Sequence, residues 1–488
     1  VAPDLRPLRA NLAKNGALLE QHLKFIPAGP IPMSKLLQLH NTATRSKQTF
    51  TPMREDAVGL YVCGPTVYDL AHVGNARPVV VFDSFVRLLR RLYGTVTYVR
   101  NITDIEDKII DRAHELGVTI AELTADTTQA FHDDMAALGA LPPDHEPRAT
   151  EHVDGMIAMT EVLIEKNHAY EADGHVLFDT TSMEDYGVFS KRSQRELIAG
   201  ARVEVAPYKR NATDFVLWKP SNEEQPGWDS PWGKGRPGWH LECSVMSEAL
   251  LGQTFDIHGG GIDLVFPHHQ NEIAQSTCAH DGAAFANYWM HNGHVTVGGE
   301  KMSKSLGNFL TVHELLEEFP GEAIRLTLLS AHYRQPLDFT KEAIGESRRI
   351  LDKWYRAVGQ ATASSDLPVA VEAALCDDLN TPKAIAEMHR LSDLAMAGDG
   401  AAASDLKAVG EVLGLLQASA ETWFQGGGGD DDLSAEAIEN LIEQRREARA
   451  NKDFAASDQI RDDLAAQGIV LEDGAGGTTW RRGQGAGS

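Results

Sequence analysis

The chain has no apolar run approaching the ~20 residues that a membrane-spanning helix requires, so a helical integral membrane protein is excluded. Its opening residues lack the charged-then-apolar layout of a secretory signal, so export is not expected. Cysteine is scarce: Cys63, Cys243, Cys278 and Cys376 lie far apart with no paired spacing. That excludes a disulfide scaffold and points to a reducing, cytoplasmic setting, where any special cysteine is a ligand or a nucleophile. Positive charge is in deficit, with 45 Lys and Arg against 70 Asp and Glu and a net charge of −25. Indiscriminate nucleic-acid binding is thereby disfavoured, while a specific RNA held by local basic patches stays open. No long internal repeat is visible. What remains is 488 residues of ordinary globular composition, 42% hydrophobic and 24% charged. That length exceeds one hydrophobic core, so several domains are expected.

Residues 1–32 begin with Val and carry no usable motif; they read as a disordered or misassigned extension. From 33 to 145 the pattern is that of a parallel-sheet half-domain. "GLYVCG" (59–64) reads as a buried strand, "ARPVVVFDSFVRLLRRLYG" as a helix stopped at Gly94, and "TVTYVRNIT" (95–103) as a second strand. Strand, helix and strand in that length form a βαβ unit. Between 146 and 238 the texture changes to short strands ("HVLFD", "ARVEV", "DFVLWK") among turns, as in an insertion splitting the sheet. Residues 239–310 resume it, with "TFDIHGGGIDLVF" as a strand and "HHQNEIAQSTCAHDG" as a helix. A helical domain is expected over 311–424, a flexible linker "QGGGGDDD" at 425–432, and a small terminal domain over 433–488, opening with a helical hairpin.

Several segments carry chemistry. His72 and Gly74 lie between the first strand and the first helix, where free N–H groups and the helix dipole favour phosphate. A His there can donate to a phosphate oxygen as charge builds, although in isolation His-x-Gly reads first as an ordinary turn. "GGEKMSKSLGN" (298–308) sets Lys301 and Lys304 on a Gly-hinged loop able to follow a leaving pyrophosphate. Surface lysines are the plain alternative for such a pair. In "DIHGGGID", the Gly259, Gly260 and Gly261 turn would let backbone approach a nucleotide, and Asp263 would meet a hydroxyl or amine. His268 and Glu272, four apart on a helix, share one face. With Cys63 and Cys243 they make a donor set suited to Zn²⁺. The pieces are 180 residues apart, so core cysteines and a helix-surface pair stay open beside the metal site.

Taken in order, "LYVCGPTVYDLAHVGNARP", "YVRNITDIEDKII", "RPGWHLECS", "FDIHGGGIDLVFPHHQNEIAQ" and "EKMSKSLGN" resemble the motifs of the cysteinyl-tRNA synthetases, class I aminoacyl-tRNA synthetases. The resemblance runs from about Leu37 to Arg482. It implies an α/β fold: a Rossmann-type catalytic domain split by an insertion, then a helical bundle that contacts the tRNA stem, then a small anticodon-binding domain. It implies ATP-dependent activation of L-cysteine to cysteinyl-adenylate and transfer to the 3′ end of cysteine tRNA, by a monomer without membrane contact. The family pattern places one Zn²⁺ per chain on Cys63, Cys243, His268 and Glu272, and ATP, with Mg²⁺, against His72, Gly74, Asn75, Gly259, Gly260, Gly261, Asp263 and Lys304. It makes His72, Lys301 and Lys304 catalytic, and gives Gly64, Thr103 and Trp239 to the amino-acid pocket. Trp480, Arg481 and Arg482, in the tail "TTWRR", would contact tRNA through base stacking and contacts to backbone or base edges, with a solvated tail holding one packed Trp as an equal alternative.

The implied metal answers a selection problem. Cysteine and serine differ by one atom, and a simple pocket separates such pairs poorly, whereas Zn²⁺ prefers a thiolate. The sequence also departs from the family signature. Asn75 stands where a second His is usual, Val73 replaces Ile, Gln270 a Glu, and Ile262 a common Ser. An amide keeps an N–H₂ donor but carries no charge, so activation is expected to persist. Two rival readings share the same motifs: a ligase joining cysteine to an aminosugar in mycothiol biosynthesis, and a catalytically degraded zinc-binding relative.

Overall fold

A computed structural model describes residues 36–192, 196, 207–302, 308–425, 433–474 and 477–482. The expected extension over 1–32, the strand "ARVEV", the linker and Lys304 lie outside the described residues. The chain divides into two compact units. One comprises Val1–Arg348 with Pro368–Glu387 and Val412–Leu415; the other comprises Arg349–Leu367, Met388–Glu411 and Leu416–Ser488.

The first unit is organised on a four-stranded parallel sheet. Its strands, in chain order, are β1 (Ala57–Val62), β2 (Thr95–Arg100), β3 (Phe255–Gly261) and β4 (Ala286–Asn292). They lie side by side as β4-β3-β1-β2, with Leu60 opposite Ile257 and Tyr61 opposite Val99. The order reverses between β1 and β3. In open parallel sheets the crevice at that switch point is where ligands bind, at the carboxyl ends of the strands. Cys63 follows β1, and Gly261 ends β3, so the sequence places its chemistry at this crevice.

Helix α1 (Val73–Leu92) connects β1 to β2. Its apolar side chains, including Val80, Phe82, Phe85 and Leu89, are buried, and Arg90 and Arg91 complement the dipole in its last turn. Two further helices, α2 (Trp239–Leu251) and α3 (His268–Ala279), flank β3 in sequence and pack against each other. The region expected as an insertion holds an antiparallel sheet built from Ala169–Ala172, His175–Phe178, Phe215–Pro220 and Gly235–Pro237.

The expected glycine turn takes a different form. Gly259, Gly260 and Gly261 are the last residues of β3 itself, paired with Met290, His291 and Asn292 of β4. The physical reason is helix packing: a Cβ at Gly259 would overlap the Phe82 ring of α1. The glycines let a helix lie close on a strand that stays regular to its end.

From Val312 onward the chain is mainly helical. Within the second unit, Ala435–Ala450 and Phe454–Ala466 form a helical hairpin followed by an antiparallel strand pair, Ile469–Gly474 and Gly477–Arg482. Ile438, Ile442, Leu464, Ile469 and Trp480 make its small core.

Candidate active site

The turn after β1 is built by hydrogen bonds that its sequence supplies. His72 is the N-cap of α1, and its Nδ1 accepts from the backbone N–H of Gly74 at 3.0 Å. Asn75 closes the capping box, its Oδ1 accepting from the His72 backbone N–H at 3.3 Å. An accepting Nδ1 leaves the proton of the neutral ring on Nε2. Asn75 therefore serves the turn itself.

The far end of the Lys-rich segment returns to this turn. Val73 donates its N–H to the Leu310 carbonyl at 3.1 Å, and Val312 donates to Ala71 at 2.8 Å. Phe309 meets the His72 ring edge-on, with centroids 5.0 Å apart. Met302, at the near end, lies beside Gly74. Lys301 pairs through its backbone with Thr296 in a short hairpin. The described flanks, Met302 on one side and Phe309 to Val312 on the other, thus meet the start of α1.

A second cluster is contributed by the residue after β1 and by α2 and α3, with Cys63 half-buried and Cys243, His268 and Glu272 buried. The ligand atoms of Cys63, Cys243, His268 and Glu272 all fall within 4.8 Å of one another. Cys63 Sγ is 3.8 Å from Cys243 Sγ and 3.7 Å from Glu272 Oε1, and His268 Nε2 is 2.7 Å from the same oxygen. Bond lengths of ~2.0–2.3 Å imply tetrahedral edges of roughly 3.3–3.8 Å, so the sulfur spacing already suits a divalent ion, and the donor chemistry fits zinc. A hydrogen bond from Cys63 lowers the Cys243 thiol to about 6, while burial keeps the proton on Cys63. Burial alone would raise the Glu272 carboxyl, but the His268 and His258 rings hold it well below the carboxylate range. Burial works against the charge on His268 too; Glu272 and Cys243 override it and lift the ring to about 10.

The other proposed pocket residues surround this cluster. Gly64 donates its N–H to Asn101 Oδ1 at 2.9 Å, and a Cβ there would overlap the Asn101 carbonyl oxygen. Thr103 Oγ1 donates to Glu242 Oε2 at 3.0 Å. Trp239 stacks on the His268 ring, with centroids 4.2 Å apart. Asp263 is exposed in the short turn Ile262–Val265 after β3. Gln270 is buried and accepts from the Ser190 N–H at 3.2 Å, so its departure from the family pattern does not touch the donor set.

Sequence reasoning missed three histidines packed against the donor set. His258 Nε2 meets Glu272 Oε2 at 2.6 Å, His269 Nε2 lies 3.3 Å from Cys63 Sγ, and His269 Nδ1 is 2.8 Å from His291 Nε2. Cys63, His258, His269 and Glu272 form a second ligand-competent set that shares two members with the first. The His doublet at 268–269 was the available signal, since adjacent residues on a helix face different neighbours.

The terminal tryptophan corrects an expectation. Trp480 is 3% exposed and donates from Nε1 to Glu439 at 2.7 Å. It packs in the small core with Ile438, Ile442, Leu464 and Ile469. Arg482 is likewise engaged, donating to the Leu433 carbonyl at 2.6 Å. Arg481 is described only through its backbone, in the terminal strand pair.

Comparison with known proteins agrees along the chain. Residues 49–349 match the family described as tRNA synthetases class I (C) catalytic domain. Residues 370–417 match a DALR domain, and residues 430–481 a cysteinyl-tRNA ligase anticodon binding domain. A cysteine–tRNA ligase of Rhodospirillum rubrum is 59% identical over 456 residues, covering 91% of this chain and 99% of its own. One from Gluconobacter oxydans is 57% identical over 453 residues, covering 92% and 99%. Among solved structures, Mycobacterium tuberculosis methionyl-tRNA synthetase with methionyl-adenylate shares the fold at a TM-score of 0.52 and 15% identity, over 73% of this chain and 89% of that one. The Agrobacterium radiobacter K84 LeuRS in its ternary complex with tRNA and LeuAMS does so at 0.54 and 12% identity, over 75% and 83%. With the catalytic-family match spanning more than half its length, and relatives of this identity aligned nearly end to end, the chain belongs to the cysteine–tRNA ligase family.

Proposed function

We propose that this chain activates L-cysteine with ATP, as its magnesium complex, and transfers the cysteinyl group to the 3′ end of cysteine tRNA, acting in the cytoplasm. The observation that carries the reading is the close placement of two thiols, an imidazole and a carboxylate at the crevice where α1 begins. Cys63, Cys243, His268 and Glu272 would hold one Zn²⁺ per chain. When bound, that ion supplies a Lewis-acidic seat that accepts a thiolate far better than a hydroxyl.

Around that seat the chain's own groups position and neutralise. Gly64, Thr103 and Trp239 line the amino-acid side, Trp239 by its stack on His268. Gly259, Gly260, Gly261 and Asp263 lie toward the nucleotide. The cysteine carboxylate attacks the α-phosphate in line, releasing pyrophosphate. His72 donates from Nε2 to phosphate oxygens, while Gly74 and Asn75 hold the turn that aims it. Lys301 and Lys304 neutralise the charge that develops on the leaving pyrophosphate. Catalysis by this arrangement is positioning and electrostatics, with no covalent enzyme intermediate. The terminal ribose of the tRNA then takes the acyl group.

The match of residues 430–481 to an anticodon-binding family supports a tRNA acceptor over an aminosugar. Of the three tail residues, Arg481 remains the proposed tRNA contact. The test is charging of tRNA with cysteine against serine, with and without a zinc chelator. Charging specific for cysteine and lost on chelation is the expected result. Charging that ignores both the chelator and the thiol overturns the reading.

A further inference from the structure

We infer that Asn292 is a nucleoside-contacting residue of the ATP site, an inference that rests on the function proposed above. Asn292 is 1% exposed, and neither its Oδ1 nor its Nδ2 has a hydrogen-bond partner among the described residues. A buried carboxamide ordinarily satisfies its donors and acceptor, because leaving them unmet carries a desolvation penalty. A side chain left with both functions unmet is either a defect or a group awaiting a ligand, and its position decides between them.

Asn292 is the last residue of β4, directly opposite Gly261 at the end of β3. Side chains alternate along a strand, and paired residues of parallel neighbours share a face. His291 pairs with Gly260 and reaches His269, so that face belongs to the thiol and histidine cluster. Met290 pairs with Gly259, whose missing Cβ makes room for Phe82 of α1, so that face belongs to α1. Two residues beyond Met290, Asn292 therefore aims at the α1 face, at the carboxyl end of the sheet.

The start of α1 is close by. Arg77, five residues beyond His72, donates to the carbonyls of Gly293 at 2.8 Å and His294 at 3.1 Å. The neighbouring position is filled by one side chain: a Cβ built at Gly261 would overlap the Asp263 carboxylate, the group proposed above for the nucleotide. An unmet carboxamide thus sits on the strand next to Gly261, whose side-chain position the Asp263 carboxylate takes, and β3 itself neighbours the strand that leads to the phosphate-facing turn. A nucleotide with its phosphates at His72 extends its nucleoside across the crevice toward β3 and β4. A carboxamide offers an adjacent donor and acceptor, the complement of the adenine edge or of a ribose hydroxyl.

The experiment is steady-state pyrophosphate exchange on the full chain, wild type against Asn292→Leu and Asn292→Ala, with ATP, 2′-deoxy-ATP and the triphosphate of purine riboside, which lacks the 6-amino group. The expected result is a rise in KM for ATP of about tenfold or more, the scale of one lost hydrogen-bonding contact, with KM for cysteine unchanged. Discrimination against one of the two analogues should also collapse, and the analogue affected tells which half of the nucleoside is held. Asn292→Leu is near-isosteric and removes the unmet groups, so its melting temperature should hold or rise. A fall in melting temperature with an unchanged KM for ATP marks Asn292 as structural and overturns the inference. So does unchanged discrimination against both analogues. Failure of the underlying reading is separate: wild-type protein would then show no cysteine-dependent exchange at all.

Discussion

Asp83 and Glu272 are both almost completely buried carboxylates in the same unit, yet their surroundings differ in kind. Around Asp83 each charge has its answer. Arg87 Nε donates to Oδ2 at 2.9 Å, Leu141 N–H donates to Oδ1 at 2.8 Å, and Arg325 completes the set while bonding the Leu413 and Leu138 carbonyls. Burial pushes that carboxyl up, but Arg325 and Arg87 hold it below its usual range. Around Glu272 stand two imidazoles and two thiols, groups that compete for few protons, and its carboxylate faces imidazole rings where Asp83 faces guanidinium groups. His258 Nδ1 there has no partner among the described residues. A buried polar cluster that closes on itself holds the fold together; one that crowds ligand atoms without closing is kept for something else.

The contrast can be broken most sharply at Glu272. Glu272→Ala should abolish stoichiometric zinc, measured on the purified protein, and lower cysteine-dependent pyrophosphate exchange on the order of a thousandfold. Retained zinc would place the ion on other donors. Arg325→Ala should do the reverse. Stranding Asp83 costs about 3–5 kcal/mol in denaturant titrations, while KM for cysteine and ATP in the folded protein stays the same.

Asp134 tests an intermediate case, since burial raises its carboxyl to about 6 against the pull of His313, and its Oδ2 has no partner among the described residues. A carboxyl raised in the fold contributes stability below the unfolded value near 4 and loses it as pH rises through about 6. Asp134→Asn should therefore stabilise the protein above pH 6 by up to roughly 3 kcal/mol, with the gain vanishing toward pH 4 in thermal melts. Trp480→Phe removes the bond to Glu439 and part of a ring packed in the small core. It should cost about 2–3 kcal/mol and leave tRNA charging kinetics of the folded protein unchanged, whereas a loss in kcat/KM for tRNA with intact stability would return the ring to the RNA. Asn75→His is expected to change pyrophosphate exchange by only a few-fold, because the amide at 75 is spent on the His72 backbone.

What the sequence revealed, and where it failed, follows from the range of the interactions. Helix α1 and strands β1 and β2 were legible because periodicity and caps are local properties. The four-residue donor set could be assembled from residue types and helix spacing but not chosen over core cysteines without the family resemblance, since nothing local links Cys63 to Cys243. Gly259 read as a turn because the Phe82 ring that requires it lies far off in sequence. Trp480 read as an RNA platform because an aromatic beside two arginines looks the same in either role. Its pairing with Leu471, which sets its face, is a tertiary fact. His258 and His291 carried no pattern, and only the sheet register brings them to His269.

The separation between Cys63 and Glu272, 209 residues along the chain, also sets a schedule. A ribosome adding ~5–20 residues per second takes roughly 10–40 s to deliver the last member of the donor set after the first has appeared. Through that interval Cys63 stands as a thiol without its later partners, dependent on cellular reductants. The pocket is therefore a late product of synthesis, complete only once more than half of the chain has been made.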